Sequence, residues 1–525
     1  MRDFHLPGRS PVLATNGICA TSHPLAAREA VAVLERGGNA MDAAIAGAVL
    51  LGLCEPAMTG LGGDLFALIE TAPGAGVQAL NASGRAAAAA DPQVLRDAGH
   101  ATVPLSSPWA VTIPGAVGGF CHLSEAYGRL GLDAVLDPAI RYAEAGVPIA
   151  PRVAHDYAAK SATLNATARR FYLPWGKSPE VGAMLAMPGQ AEVLRRIARD
   201  GAAGFYTGEV AEDIVASLKA LGGPQSLADF AASAPTPTQP ISGSYRGIDL
   251  VEHPPNGQGA TAILLLNILS HFDIAAMDPW GAARAHIEAE ATKLAYDARN
   301  RFVADADHMT RLAHMLAPET AAKLAALIDP KAVMAAPAPL TEAVHRDTIY
   351  ITVVDRDRMA VSLIYSIFHG FGSGIASEKF GILLQNRGSG FSLTPGHPNE
   401  MAPGKRPMHT IIPGMLRENG RVVMPFGVMG GAYQSTGHAR FVSNLRDFGL
   451  DPQAAIDAPR CFAEDGVLKL ERGYSAETAQ GLADLGHVVE TSQDAIGGAQ
   501  AILIRPDGVL VAGSDARKDG CAIGY

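Results

Sequence analysis

The character of this chain changes abruptly at residue 348, and this change constrains the fold more than any other feature. Residues 334–342 contain two prolines among alanines, which cannot continue a helix and predict an exposed, extended linker. Two runs rich in β-branched and aromatic residues follow, at 348–355 and 359–367, joined by a polar turn. They predict a buried β-hairpin whose first residue is Thr348.

The order of predicted elements favours a layered α+β fold. Helical signals dominate early: one helix is expected to start at Ser22–Pro24 and end at residues 37–39, a second to open at Asn39 or Asp42, and residues 115–335 are mainly helical by pattern. Strand-like runs dominate after residue 348, including 500–504 and 508–512. Helices mostly early and strands mostly late argue against an alternating parallel sheet.

Composition limits the partners of the protein. Its 525 residues carry a net charge of −10 at pH 7 without a run of lysines and arginines, so we expect neither nucleic acid nor an anionic membrane as partner. The longest apolar run, residues 43–54, is too short to span a bilayer. The first residues lack a basic-then-apolar signal segment, so we expect a cytoplasmic protein that acts on a small molecule.

Several chemistries are unsupported by the sequence. The five cysteines are scattered and include no CxxC pair, so they are interpreted as reduced thiols. The sixteen histidines show no ligand-like spacing and no HExxH motif, so no metal and no cofactor are predicted. The glycines at 60–63 lack the spacing of a nucleotide-binding loop, and no GxSxG elbow occurs.

Thr348 is the strongest candidate for a nucleophile. A threonine that opens a strand is usually an ordinary strand residue, and that alternative stays open on this evidence alone. Here, however, a predicted linker precedes the threonine, a hairpin supports it, and glycine-rich turns follow. Eight short segments add to this evidence: SHPLA at 22–26, GGNAMDAA at 37–44, GLGGD at 60–64, PG at 114–115, DT at 347–348, FGSG at 371–374, GKRP at 404–407 and MGG at 429–431.

In this order, these segments resemble the motifs of the gamma-glutamyltransferases over nearly the whole chain. The resemblance implies the four-layer αββα sandwich of the N-terminal-nucleophile (Ntn) hydrolases. It also implies self-cleavage between Asp347 and Thr348 into a large chain, 1–347, and a small chain, 348–525, which stay associated as one domain. Thr348 would then be the nucleophile, and its freed α-amino group, with a reference pKa near 8, would be the base.

The resemblance also assigns roles around Thr348. Ser366 matches the hydroxyl residue that supports the nucleophile; the alternative is a strand residue that faces solvent. Gly430 and Gly431 match the oxyanion-hole pair, and the alternative is an ordinary loop. Arg85 matches the arginine that binds the substrate's carboxylate, and the alternative is a generic surface arginine.

The match fails where the family binds the α-ammonium of its substrate. Phe368 and Gly390 stand where the family has asparagine and aspartate, Arg387 replaces a neutral or acidic residue, and His409–Thr410 replaces a serine pair. These changes remove negative charge and add positive charge, which favours an acidic substrate without an amine. The pattern, together with the tail at 513–520, resembles a cytoplasmic branch that includes oxamate amidohydrolase of purine degradation.

The expected function is therefore hydrolysis of a linear amide C–N bond in a small carboxylate-bearing substrate such as oxamate. The substrate would be held by Arg85, Arg387, His409 and Thr410. Two alternatives stay open. In the first, the protein is a glutathione hydrolase or gamma-glutamyltransferase. In the second, it is an unprocessed binding protein that keeps the fold without catalysis.

Overall fold

A computed structural model describes residues 4–5, 8–334 and 348–525. Most of the predicted linker, together with Asp347 and the bond that it shares with Thr348, lies outside the described residues. The strands are β1 Val12–Ala14, β2 Ile18–Thr21, β3 Asp64–Glu70, β4 Val77–Ala82, β5 Val147–Pro148, β6 Met184–Leu185, β7 Thr236–Thr238, β8 Ile241–Tyr245, β9 Ile248–Glu252, β10 Ile349–Val354, β11 Ala360–Ser366, β12 Gly414–Glu418, β13 Arg421–Met429, β14 Cys461–Glu464, β15 Val467–Leu470, β16 Val488–Thr491, β17 Gly498–Ile504, β18 Leu510–Ser514 and β19 Cys521–Gly524.

The described residues also form α-helices. They are α1 Pro24–Glu35, α2 Ala40–Cys54, α3 Pro92–Asp97, α4 Ala116–Tyr127, α5 Leu132–Ala145, α6 Pro151–Lys160, α7 Ala166–Tyr172, α8 Pro188–Asp200, α9 Ala203–Tyr206, α10 Gly208–Lys219, α11 Leu227–Ala231, α12 Gly259–Leu269, α13 Ala282–Phe302, α14 Leu312–Leu316, α15 Pro318–Ala325, α16 Gln434–Arg446, α17 Pro452–Asp457 and α18 Ala476–Asp484. Among the described residues, no helix is both long enough and apolar enough to cross a membrane.

Two large antiparallel sheets form the centre of the molecule. The first sheet has the order β19-β2-β10-β11-β3-β4-β7, and the second has the order β1-β18-β17-β13-β12-β9-β8. Helices α1, α2 and α4 pack on the first sheet, whereas α12, α16 and α17 pack on the second. The sheets face each other through a buried cluster that includes Phe66, Tyr350 and Met429. The result is the predicted four-layer αββα sandwich.

The second predicted helix begins where the sequence indicated. The side chain of Asn39 accepts hydrogen bonds from the backbone N–H groups of Met41 and Asp42, and the Asp42 carboxylate accepts one from the Asn39 N–H, which completes a capping box. Every residue of α2 is buried, because the helix lies between α1, α5 and strand β10. A helix that is apolar on all sides is stable only in such a position.

The predicted hairpin lies in the middle of the first sheet, with every residue of β10 and β11 buried. Both neighbours of the hairpin come from the early part of the chain: β10 pairs with β2, and β11 pairs with β3. The division into early helices and late strands was therefore only approximate. A central hairpin needs a partner at each edge, and segments on both sides of residue 348 supply the strands of each sheet.

Candidate active site

Thr348 lies immediately before β10, at one end of the first sheet, and its exposure is 2%. Its Oγ1 donates a hydrogen bond to Oγ of Ser366, the last residue of β11, at 3.3 Å. Ser366 is in register with Asp64, the first residue of β3. Directly opposed residues on neighbouring strands share one face, so Asp64 and Ser366 both point toward the second sheet.

The Ser366 hydroxyl oxygen is a centre of hydrogen bonds. Besides the Thr348 hydroxyl, it accepts the backbone N–H of Phe368 at 2.9 Å and Nη2 of Arg387 at 3.4 Å. A serine oxygen that accepts bonds from a cation and a backbone donor is fixed in position. It therefore defines where the Thr348 side chain lies.

Arg387 is a fully buried cation, although arginine is rarely found without exposure. Its guanidinium lies 3.8 Å from the centre of the Phe368 ring, in the range of a cation–π contact, and Nη1 donates to Oγ1 of Thr410 at 3.1 Å. Phe368 adopts a left-handed backbone conformation, with φ of 84°, that L-residues rarely take. This strained turn places the ring against the guanidinium beside Ser366.

Asp64 and His409 form a second buried pair next to Ser366. Nε2 of His409 lies 3.1 Å from Oδ2 of Asp64, and neither side chain is exposed. Burial raises the pKa of Asp64 to about 6, against the opposing effects of Arg387 and of its hydrogen-bond donors. Burial also holds the pKa of His409 well below its ordinary value, and the nearby charge of Arg387 adds to this effect. His409 is thus a neutral ring at physiological pH.

Gly430 and Gly431 form the turn between β13 and helix α16. Their φ angles are 123° and 56°, and a Cβ at Gly430 would lie 2.9 Å from the backbone Cα of Gly497, so glycine is required there. Gln258 links this turn to the rest of the site, because its Nε2 donates to the carbonyls of Thr410, at 2.7 Å, and Gly431, at 3.0 Å. Backbone N–H groups before a helix lack intrahelical partners and suit an anion.

Arg85 lies apart from this group. Its side chain is 45% exposed, with Nη1 donating to the carbonyl of Gly404 at 2.9 Å and lying 3.6 Å from Asp305. Only the neighbouring backbone reaches the site, where the N–H of Gly84 donates to Asp64. The structure therefore brings together Thr348, Ser366, Arg387, His409 and Thr410, and leaves the Arg85 guanidinium outside their hydrogen bonds.

The position of Gly390 is too narrow for a side chain. A Cβ there would lie 2.9 Å from the carbonyl oxygen of Met408, which is backbone and cannot simply rotate away. Gly390 also borders a cavity of about 540 Å³ that is lined in part by His369 and Phe391. A carboxylate side chain at residue 390 would therefore have no space near its Cβ, although a cavity adjoins that glycine.

Two contributors to the site were missed as functional residues in the sequence. Asp64 is the one charged residue of the segment GLGGD at 60–64, and this position was the feature of the sequence that could have indicated a functional role. Gln258 had no comparable signal, because it stands in an ordinary glycine-containing turn before α12. Its position between Thr410 and Gly431 depends on tertiary structure.

Away from this site, three side chains of metal-binding types meet in one place, which linear spacing did not reveal. Ligand atoms of His286, Glu290 and His487 lie within 4.8 Å of one another. Their polar atoms already have protein partners: Nδ1 of His286 lies 2.8 Å from Nε2 of His487, and the Lys293 ammonium donates to Glu290 at 2.6 Å. The five cysteines are free thiols, as expected.

Residues 26–525 match the gamma-glutamyltranspeptidase family. The chain belongs to the gamma-glutamyltranspeptidase family. A member from Bacillus subtilis (strain 168), the glutathione hydrolase-like YwrD proenzyme, is 35% identical over 533 residues and covers 98% of this chain and 99% of the relative. The oxamate amidohydrolase proenzyme of Klebsiella pneumoniae is 34% identical over 532 residues, with the same coverage of both chains.

Among solved structures of the family fold, the cephalosporin acylase from Bacillus halodurans has a TM-score of 0.93 and 38% identity. The alignment covers 100% of this chain and 99% of that one. This gamma-glutamyltranspeptidase-family protein is therefore an enzyme with the Ntn-hydrolase fold, and an amidohydrolase by class. Its curated relatives are proenzymes that differ in the substrate named for each.

Proposed function

We propose that this enzyme cleaves its own chain before Thr348 and then hydrolyses the linear amide of a small carboxylate-bearing substrate such as oxamate. The observation that supports this most strongly is the burial of Arg387 beside the pair formed by Thr348 and Ser366. A buried guanidinium next to a nucleophile attracts an anion and repels an ammonium group. Gly390 adds to this preference, because it leaves no place for an ammonium-binding carboxylate.

The proposed reaction begins once cleavage has freed the α-amino group of Thr348. The neutral amine accepts the proton of the Thr348 hydroxyl while Oγ1 attacks the amide carbon. Negative charge develops on the carbonyl oxygen, and the N–H groups at Gly430 and Gly431 stabilise it. The C–N bond then breaks, and the protonated amine returns its proton to the departing nitrogen, which leaves an ester on Thr348.

Hydrolysis of this ester completes the cycle. The amine of Thr348 accepts a proton from water, the resulting hydroxide attacks the ester carbon, and the acid is released with the threonine hydroxyl restored. For oxamate the products are oxalate and ammonia. Arg387, with Thr410, would hold the carboxylate throughout, and Ser366 would fix the Thr348 side chain in position. Arg85 would have to swing from Gly404 and Asp305 to take part.

Glutathione hydrolysis is the second candidate function. It is supported by the Bacillus subtilis relative, which is named as glutathione hydrolase-like, whereas the Klebsiella pneumoniae relative is named for oxamate. A gamma-glutamyl substrate carries an α-ammonium, which would face Arg387 with no carboxylate at residue 390.

A hydrolysis screen with oxamate, glutathione, a gamma-glutamyl anilide and longer acidic amides tests the proposal. We expect the highest kcat/KM for an acidic amide without an α-ammonium. A much higher value for glutathione than for every simple acidic amide would refute the proposed specificity. The screen includes a Thr348→Ala variant as a control for contaminating hydrolases.

A further inference from the structure

Asp64 and His409 lie next to Ser366 and Thr410, yet no step of the proposed reaction uses their pairing. Asp64 opposes Ser366 across β3 and β11 and faces the same side of the sheet. His409 precedes Thr410, which accepts a hydrogen bond from Arg387. Both members of the pair are fully buried, so their ionisation and hydrogen bonds are set by the protein and not by solvent.

The hydrogen bonds around Asp64 determine which nitrogen of His409 holds the proton. Oδ1 of Asp64 accepts N–H groups from Gly84 at 2.8 Å, Gln385 at 2.9 Å and Gly115 at 3.2 Å. Asp64 is a carboxylate above its pKa of about 6, so its Oδ2 is an acceptor and the bond between Oδ2 and Nε2 of His409 has its proton on the histidine. Because the ring is neutral, Nδ1 then has a lone pair and no proton.

That lone pair has no donor in the described chain. Nδ1 of His409 is buried, and none of the described residues forms a hydrogen bond with it. Buried acceptors in folded proteins nearly always have a donor, and one without a protein donor suits a ligand N–H. The Phe66 ring, 4.7 Å from the imidazole between ring centres, limits rotation of the histidine.

We propose that Asp64 and His409 act as a recognition pair for the nitrogen of the substrate's amide. Asp64 positions His409 with its proton on Nε2, and Nδ1 of His409 accepts an N–H of the scissile amide while Arg387 holds the carboxylate. The pair therefore selects acidic amides that have at least one N–H over the corresponding esters. This inference rests on the proposed function, because it assumes an acidic amide in this site.

The test compares an amide with its ester in the processed enzyme. Asp64→Asn presents an N–H to Nε2 of His409, which shifts the ring proton to Nδ1 and turns the acceptor into a donor. We expect kcat/KM for oxamate to fall about ten- to a hundredfold, which is the effect of one lost buried hydrogen bond. The value for monoethyl oxalate, which has no N–H, should change less than about threefold by the same reasoning.

A second pair of variants at His409 keeps the test decisive if Asp64→Asn folds poorly. The side-chain amide of asparagine lies near the Nδ1 position of histidine, whereas that of glutamine lies near the Nε2 position. His409→Asn should therefore retain more of the preference for the amide than His409→Gln. Glu252→Gln is the matched control, because Glu252 forms another fully buried pair, with Nδ1 of His438 at 2.6 Å, and should leave the amide-to-ester ratio unchanged.

Nitrogen-15 NMR of the histidine side chains provides a readout that does not depend on the substrate. Wild-type His409, assigned by its loss in His409→Gln, should show a protonated Nε2 and a bare Nδ1, and Asp64→Asn should reverse this pattern. If wild type fails to hydrolyse oxamate, the proposed function fails, and the pair is then tested with the best amide of the screen and its ester. An unchanged amide-to-ester ratio in Asp64→Asn and both His409 variants, or a wild-type proton on Nδ1, would overturn the inference.

Discussion

Replacing Arg387 with glutamine removes a buried positive charge while keeping a side chain that can donate a hydrogen bond. The guanidinium donates to Thr410 at 3.1 Å and to Ser366 at 3.4 Å, and it lies against the Phe368 ring. A hydrogen bond between an arginine and a carboxylate contributes about 1.5–3 kcal/mol. Its loss should therefore lower kcat/KM for oxamate about ten- to a hundredfold.

The assay measures kcat and KM for oxamate and glutathione in wild type, Arg387→Gln and Arg387→Lys. Lysine keeps the charge but cannot reproduce the planar fork, so Arg387→Lys should fall between the other two. Arg387→Gln should lower oxamate turnover more than any residual glutathione cleavage, and chain cleavage should survive the change. An equal effect on both substrates would show that Arg387 does not determine specificity.

Three further outcomes are expected. Chelators should leave the rate unchanged, since the proposed chemistry uses Thr348 and its amine; a loss of activity that zinc restores would argue against it. Gly390→Asp should lower the Tm without producing glutathione hydrolysis, because the new Cβ would meet the Met408 carbonyl and such overpacking costs about 1–3 kcal/mol. Efficient glutathione turnover by this variant would contradict the steric argument. Glu55→Gln should stabilise the fold at alkaline pH. Burial raises the pKa of Glu55 from 4.5 to about 7, so ionisation of Glu55 lowers the stability of the wild type as pH rises through that range, by about 3 kcal/mol at most. The Tm values of variant and wild type should differ at pH 8.5 and converge below pH 4.5. Equal values throughout would refute the assignment.

The sequence predicted the parts of the fold that depend on local patterns. The capping residue Asn39, the hairpin that follows Thr348 and the late strands were all visible as caps, β-branched runs and turns. The placement of the hairpin between β2 and β3 was not visible, because strand pairing between distant segments leaves no mark in local periodicity. The early strands were accordingly under-predicted.

The candidate site divides in the same way. Family resemblance assigned Arg387 and Ser366 to one site, but it did not predict the hydrogen bond between them. The distances among them, and the roles of Asp64 and Gln258 as connecting groups, follow from strand register and from backbone turns that bring residues 64, 258 and 409 together. Arg85 illustrates the opposite case, because its motif matches while its guanidinium contacts Gly404 and Asp305.

Thr348 is expected to cut its own chain and become the nucleophile, and intact mass spectrometry tests this expectation most directly. Purified wild-type protein should separate into two chains under denaturing conditions, with the smaller one beginning at Thr348. Thr348→Ala should remain a single chain of 54.5 kDa without amidase activity. Cleavage of the alanine variant at the same bond, or a wild-type enzyme that is active as one uncut chain, would contradict the account.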